Sequence, residues 1–278
     1  VEGEFDITQV PSLIENSVGS IYTNYQPNKL TTDQYLEFDF NIYNKIVDVF
    51  FPDITLAPNT FIRGRVESNE SEFRLNFRSP EITAFNSRLQ DVNIQVDNTN
   101  PLFNTYVEID SVAAGFYSFS DVSLINVTLN DTLFIRSELR GGPQNEDLYH
   151  LNLYHTINQD NQSVVGVQKS DILFKGNQWY LNEADDRSNR LVMSDRFKNI
   201  QIDTLTLSHA NEEIRLAGVL LDSTHKTVRM NFEDVDLGKI TPESNTLSLG
   251  GQINGTLNLW QRSSAYYPHT SLTVEDLK

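Results

Sequence analysis

Cysteine is absent from the 278 residues, so neither disulfides nor thiolate metal ligands are available. Tryptophan and methionine occur twice each, and Gly, Pro and Ser are nowhere gathered into a low-complexity linker. No run approaches the ~20 consecutive apolar residues of a membrane-spanning helix. No signal peptide is recognisable, so any membrane anchor of the full-length protein is expected outside this chain. The chain starts at Val1, which suggests a processed product or a fragment. Basic residues are scarce, 21 against 38 acidic, for a net charge of −17. Phosphate backbones need a cationic surface, so nucleic acid is excluded as a partner. Docking on anionic lipid by electrostatics alone is disfavoured for the same reason.

Apolar content is also low, at 38%. That suits a sheet with one apolar face better than a thick two-sided core. Signatures of chemistry are missing as well. There is no Gly-rich phosphate loop, nucleophile elbow or zincin motif. His150 and His155 are the closest histidine pair, but five residues on a strand put them on opposite faces. Asp234 and Asp236 share a strand parity, and Asp185-Asp186 sits in a polar stretch; both read as solvated acidic surface before they read as ligands or a catalytic pair. Five Asn-x-Ser/Thr sequons, at Asn69, Asn126, Asn130, Asn161 and Asn254, are expected by chance in so Asn-rich a chain. Trp179-Tyr180 and Tyr266-Tyr267 are weak candidates for carbohydrate stacking.

What is present is period-two alternation. Leu36, Phe38 and Phe40 alternate with Glu37 and Asp39; Val107 and Ile109 alternate with Glu108 and Asp110; Leu151, Leu153, His155 and Ile157 form another run. Such runs predict strands with one buried and one wet face. A hairpin is predicted around Asn130-Asp131, and a three-strand meander with turns at 209–212 and 222–225. Helix spacing appears at Tyr43, Ile46, Val47 and Phe50, ended by Pro52, and a second short helix is expected from Pro11.

One phrase recurs: apolar, spacer, Asp or Asn, apolar, spacer, apolar. It reads Leu89-Gln-Asp91-Val92-Asn-Ile94, Phe119-Ser-Asp121-Val122-Ser-Leu124, Phe197-Lys-Asn199-Ile200-Gln-Ile202 and Phe232-Glu-Asp234-Val235-Asp-Leu237. A weaker copy is Lys169-Ser-Asp171-Ile172-Leu-Phe174. The first apolar residue lies an odd step from the last two, so a straight strand would put it on the opposite face. A bulge or turn at the Asp or Asn, residues that tolerate such backbone, returns it to the same side. Repetition of such a unit predicts a stacked architecture whose function lies along a surface.

Three stretches add a family likeness: the segment 45–64, which runs Lys-Ile-Val-Asp-Val-Phe-Phe-Pro-Asp-Ile-Thr-Leu-Ala-Pro-Asn-Thr-Phe-Ile-Arg-Gly; Leu89–Asp97 with Asn100-Pro-Leu-Phe and Val107-Glu-Ile-Asp; and Gly251–Gln261 followed by Ser271–Leu277. With these the chain resembles the AsmA-like superfamily, in particular the TamB-like translocation and assembly module proteins of Bacteroidetes type, as an interior or C-terminal fragment. The resemblance implies a periplasmic protein anchored in the inner membrane through a segment absent here, an outer-membrane barrel partner of the BamA/TamA type, and phospholipid acyl chains as cargo.

The fold expected is therefore all-β: a repetitive, elongated, curled sheet, a U-shaped or taco-like groove, with one or two short helices. Residues 1–278 form one β-repeat region, and any sub-unit break falls near 141–147. The expected groove lining is Val92, Ile94, Val122, Leu124, Leu151, Leu153, Ile172, Phe174, Ile200, Ile202, Val235 and Leu237. No catalytic residue, metal or cofactor is assigned. Two other readings stand beside the lipid groove: a scaffold for assembly or secretion of outer-membrane proteins, and an extracellular carbohydrate-binding β-sandwich. A carboxylate-based hydrolase comes last.

Overall fold

The computed structural model describes all residues except 43–46, 48–51, 70, 85, 100–101, 116, 195–197, 222–223, 242–248, 264 and 278. For 99, 102 and 103 it describes the backbone alone. Strand accounts for 67% and helix for 6%, so the all-β class expected from the alternation holds. The helix expected over Tyr43, Ile46 and Phe50 lies outside the described residues. The chain divides into two compact units, Val1–Asn145 and Glu146–Lys278.

The first unit contains β1 (Glu2–Glu4), helix α1 (Val10–Gly19), β2 (Tyr35–Asn41), β3 (Ile54–Leu56), β4 (Phe61–Glu67), β5 (Glu72–Ala84), β6 (Ser87–Thr99), β7 (Leu102–Ala114), β8 (Tyr117–Leu129) and β9 (Thr132–Gly141). Its neighbours run β1-β2-β4-β5-β6-β7-β8-β9, all antiparallel. β3 continues the line of β4 along the far half of β5. The predicted Asn130-Asp131 hairpin joins β8 to β9, with both residues at positive φ.

Helix α1 starts where Pro11 predicts. Val10, Leu13, Ile14 and Val18 recur at helical spacing and pack on Leu36, Val66 and Phe73 of the sheet. Leu13 is 1% exposed. Ser17 is also buried, and its carbonyl accepts from Asn98 Nδ2 at 2.6 Å. One turn beyond the helix, Thr23 N donates to Asp131 Oδ1 at 2.5 Å. Burial, with the Asp131 carboxylate nearby, holds the Tyr22 hydroxyl well above its ordinary pKa.

The second unit contains β10 (Asp147–Ile157), β11 (Ser163–Val167), β12 (Ser170–Phe174), β13 (Asn177–Leu181), β14 (Arg190–Ser194), β15 (Asn199–His209), β16 (Glu212–Leu221), β17 (His225–Asp236), helix α2 (Leu237–Ile240), β18 (Gln252–Arg262) and β19 (Ala265–Glu275). β10 pairs with both β11 and β12; these pair with β14 and β13, which share β15. From β15 to β19 each strand follows its neighbour, and β15-β16-β17 is the predicted meander. Residues 222–223 of its second turn lie outside the described residues.

Helix α2 lies on the apolar side of this unit. Leu237 and Ile240 join Ile172, Phe174, Phe232 and Leu272 around the buried Trp179, Val235 and Ile253. Asp236 Oδ1 accepts from Gly238 N at 2.8 Å and caps the helix. At its other end Lys175 Nζ donates to the carbonyls of Gly238 (2.8 Å) and Thr241 (3.1 Å), which the short helix leaves unpaired. Glu212 accepts from Lys239 and from Asp236 N.

Candidate functional site

The recurring phrase divides the chain's Asp and Asn residues into two groups. Asp91, Asp121 and Asp234 have φ of 48°, 50° and 53°, the left-handed backbone expected of a bend. Asp171 and Asn199 do not, which corrects that expectation for two copies. Asp171 lies inside the five-residue β12, too short to need a bend, and its Oδ2 meets His150 Nδ1 at 2.8 Å. Asn199 opens β15, whose register shifts between Ile202 and Leu205 instead.

A second correction concerns the form of the bend. At Asp234 the β17–β18 register shifts, as a bulge demands, and Gly255 opposite takes φ +122°, where an added Cβ would come within 2.1 Å of Ser271 O. At Asp91 no residue is inserted. Ser79 pairs with Val92 and Glu81 with Gln90 without a shift, and β6–β7 and β7–β8 likewise keep their count, whereas β8–β9 shifts between Ser120 and Ser123, so Asp121 carries the expected bulge on its β9 side. Pro80, Asp91, Asp110 and Asp121 thus fall in one transverse row. Every strand from β5 to β8 changes parity there together, and the row is a crease in the sheet. Its outer side is a cleft of about 420 Å³ lined by Asp91, Asp110, Asp121 and Arg78 among others. Among the described residues no group of three or more His, Asp or Glu is placed to hold a metal ion.

The crease keeps one face apolar along the whole strand. In the first unit a line of cross-strand partners runs Phe40, Ile62, Phe77, Ile94, Val107, Leu124. Beside it runs Ser79, Val92, Ile109, Val122, and past the crease Ile82, Leu89, Val112, Phe119. The opposite face carries exposed ion pairs such as Arg63–Asp39, Arg74–Glu72 and Arg88–Glu81. In the second unit Ile172 lies opposite Tyr149 and Trp179. Leu153 faces Val167, Ile202 faces Leu191, and Val235 faces Ile253.

Eleven of the twelve expected lining residues are strand residues on the apolar side: Val92, Ile94, Val122 and Leu124 in the first unit; Leu151, Leu153, Ile172, Phe174, Ile200, Ile202 and Val235 in the second. Leu237 packs on the same apolar cluster, but from the first position of α2 and not from a strand. Val92 and Val235 are buried at 2% and 0%; the other lining residues are half-buried. Phe77, Val107 and Trp179 belong to the face too. The alternation around Val107 signalled one of them, whereas nothing adjacent in sequence signals that Trp179 is 1% exposed.

Trp179 is thus no carbohydrate platform. It packs on His209 at 5.1 Å between ring centres, and its Nε1 has no hydrogen-bond partner among the described residues. His155 also faces inward; burial lowers its pKa, and Nε2 meets Ser163 Oγ at 2.5 Å. Asp234 and Asp236 are a bulge residue and a helix cap, not a ligand pair.

The face is only partly covered. Helix α1 covers Leu36, Val66 and Phe73, but the line from Phe40 to Leu124 lies outside that cluster, and Phe40 is 45% exposed. No protein-family model, curated protein or solved structure matches the chain.

Proposed function

We propose that this chain is the β-groove segment of a TamB-like, AsmA-like envelope protein, and that its apolar face carries phospholipid acyl chains across the periplasm between the inner and outer membranes. The observation that carries the reading is the apolar line Phe40, Ile62, Phe77, Ile94, Val107, Leu124, which lies outside the α1 cluster and is half-buried to exposed. Six strands at ~4.8 Å spacing make it about 24 Å long. One leaflet of a ~30 Å hydrocarbon core is about 15 Å deep, so an acyl chain laid on the line crosses three to four strands. Each methylene kept from water is worth ~0.8 kcal/mol, so a dozen contribute about 10 kcal/mol. The attraction is non-directional, which permits sliding. The reading assigns no chemistry to the protein, and it places its inner-membrane anchor and its outer-membrane barrel partner outside this chain.

A photocrosslinking amino acid tests it directly. Placed at Ile94 or Leu124 in bacteria, it should capture phospholipid; placed at Gln95, on the opposite face, it should not. Equal labelling at both parities, or none at either, removes the groove.

The scaffold reading has one observation of its own. β19 pairs only with β18 among the described strands, and most of its residues are exposed. Such an edge can accept a further strand, and a strand peptide competing for that edge would support it.

A further inference from the structure

The outer face of the second unit carries a patch unlike the rest of that surface. Its first three transverse rows from the β16–β17 and β18–β19 turns are set by register: Leu221-His225-Arg262-Ala265, then Val219-Thr227-Trp260-Tyr267, then Ala217-Arg229-Asn258-His269. None of these positions is Asp or Glu, in a chain with 38 of them. Two rows further along, Glu213 and Glu233 return. The apolar members are exposed: Val219 38%, Leu221 48%, Trp260 48% and Tyr267 53%.

The two arginines, like Arg78 and Arg187, have no ion pair among the described residues. Eight others pair with carboxylates: Arg63, Arg65, Arg74, Arg88, Arg136, Arg140, Arg190 and Arg215. Arg229 donates instead to the neutral Asn231 at 3.2 Å, and neither it nor Arg262 takes part in an ion pair among the described residues. Cations with no carboxylate partner among the described residues, beside exposed Trp, Tyr, Leu and Val, form the chemistry of a membrane interface. The rings sit at headgroup depth, and the guanidinium groups meet lipid phosphate. A soluble polyanion would need a denser cation set and would leave the four large apolar groups without a role.

We infer that this outer patch docks on the surface of an anionic phospholipid bilayer, with Trp260 and Tyr267 at the interface and Arg229 and Arg262 against the phosphates. The inference goes beyond the groove reading and stands on the opposite face of the sheet, so either can fail without the other.

Trp179 and Trp260 are the only tryptophans, and Trp179 is buried, so Trp260 reports on docking. In a Trp179→Phe background, phosphatidylglycerol/phosphatidylethanolamine vesicles should shift the Trp260 emission to shorter wavelength and float the protein at low salt. Arg229→Gln and Arg262→Gln should each weaken binding about fivefold, with an unchanged urea midpoint showing that each variant is folded. Trp260→Ser, read by flotation, should weaken it further. The inference is overturned by no shift and no flotation, by equal binding to phosphatidylcholine vesicles, or by variants that bind as well as the parent. Retention on a heparin column with no emission change on vesicles would also overturn it, by making the patch a polyanion site.

Discussion

A left-handed backbone costs an ordinary L-residue about 1–2 kcal/mol, less for Asp and Asn, whose short side chains bond locally. Asp91 and Asp121 sit in that conformation inside long strands, where most of the sheet forbids it. Asp91→Val should therefore lower the unfolding free energy by about 1–2 kcal/mol in urea. Asp91→Gly should stay within about 0.5 kcal/mol, because Gly has no Cβ to strain. Equal losses would mean that the carboxylate, not the backbone, matters at the crease. The bend at Asp91, Asp121 and Asp234 was legible because an odd apolar offset coincides with a residue type that tolerates positive φ. At Asp171 and Asn199 the same letters occur without the need. A triplet cannot show whether the strand around it is long enough to require a bend.

The two helices divide differently. Pro11 and the spacing of Val10, Leu13, Ile14 and Val18 made α1 visible, but not the strands it covers, because Leu36, Val66 and Phe73 belong to three separate strands far beyond any local pattern. Leu13 is its most buried apolar contact, and Leu13→Ala should cost about 2–5 kcal/mol. A loss below 1 kcal/mol would show that α1 rests on the sheet without holding it. Helix α2 was hidden. Leu237 continues the strand parity of Val235, so alternation ran on through the point where the Asp236 cap stops it. Its Lys175 tether comes from a hairpin turn over 60 residues away, beyond any local pattern. The outer-face ladders were equally obscure, since which Arg meets which carboxylate depends on register.

At the scale of the whole molecule, alternation gave the all-β class, and a lean apolar content anticipated a face with little to cover it. In the first unit, Phe40 on that face is 45% exposed. What alternation does not supply is phase, that is, whether neighbouring strands bend at the same place. In β5 to β8 they do. Strand partners sum to 171 across β5–β6, as in Ser79 with Val92, to 201 across β6–β7, and to 231 across β7–β8. Each hairpin of two strands thus advances the numbering by 30, which is the step from Asp91 to Asp121. Removing residues 87–116 should join Asn86 to Tyr117 and lay β8 against β5 with the crease continuous. We expect that shortened chain to fold cooperatively, with strand content by circular dichroism reduced in proportion; an aggregated or unfolded product would show that the hairpins are not interchangeable. The span of this part of the sheet is then counted in whole hairpins of about 10 Å. A lineage could lengthen or shorten it by duplicating or dropping one such block, leaving the cross-section unchanged, as a ladder changes height by rungs.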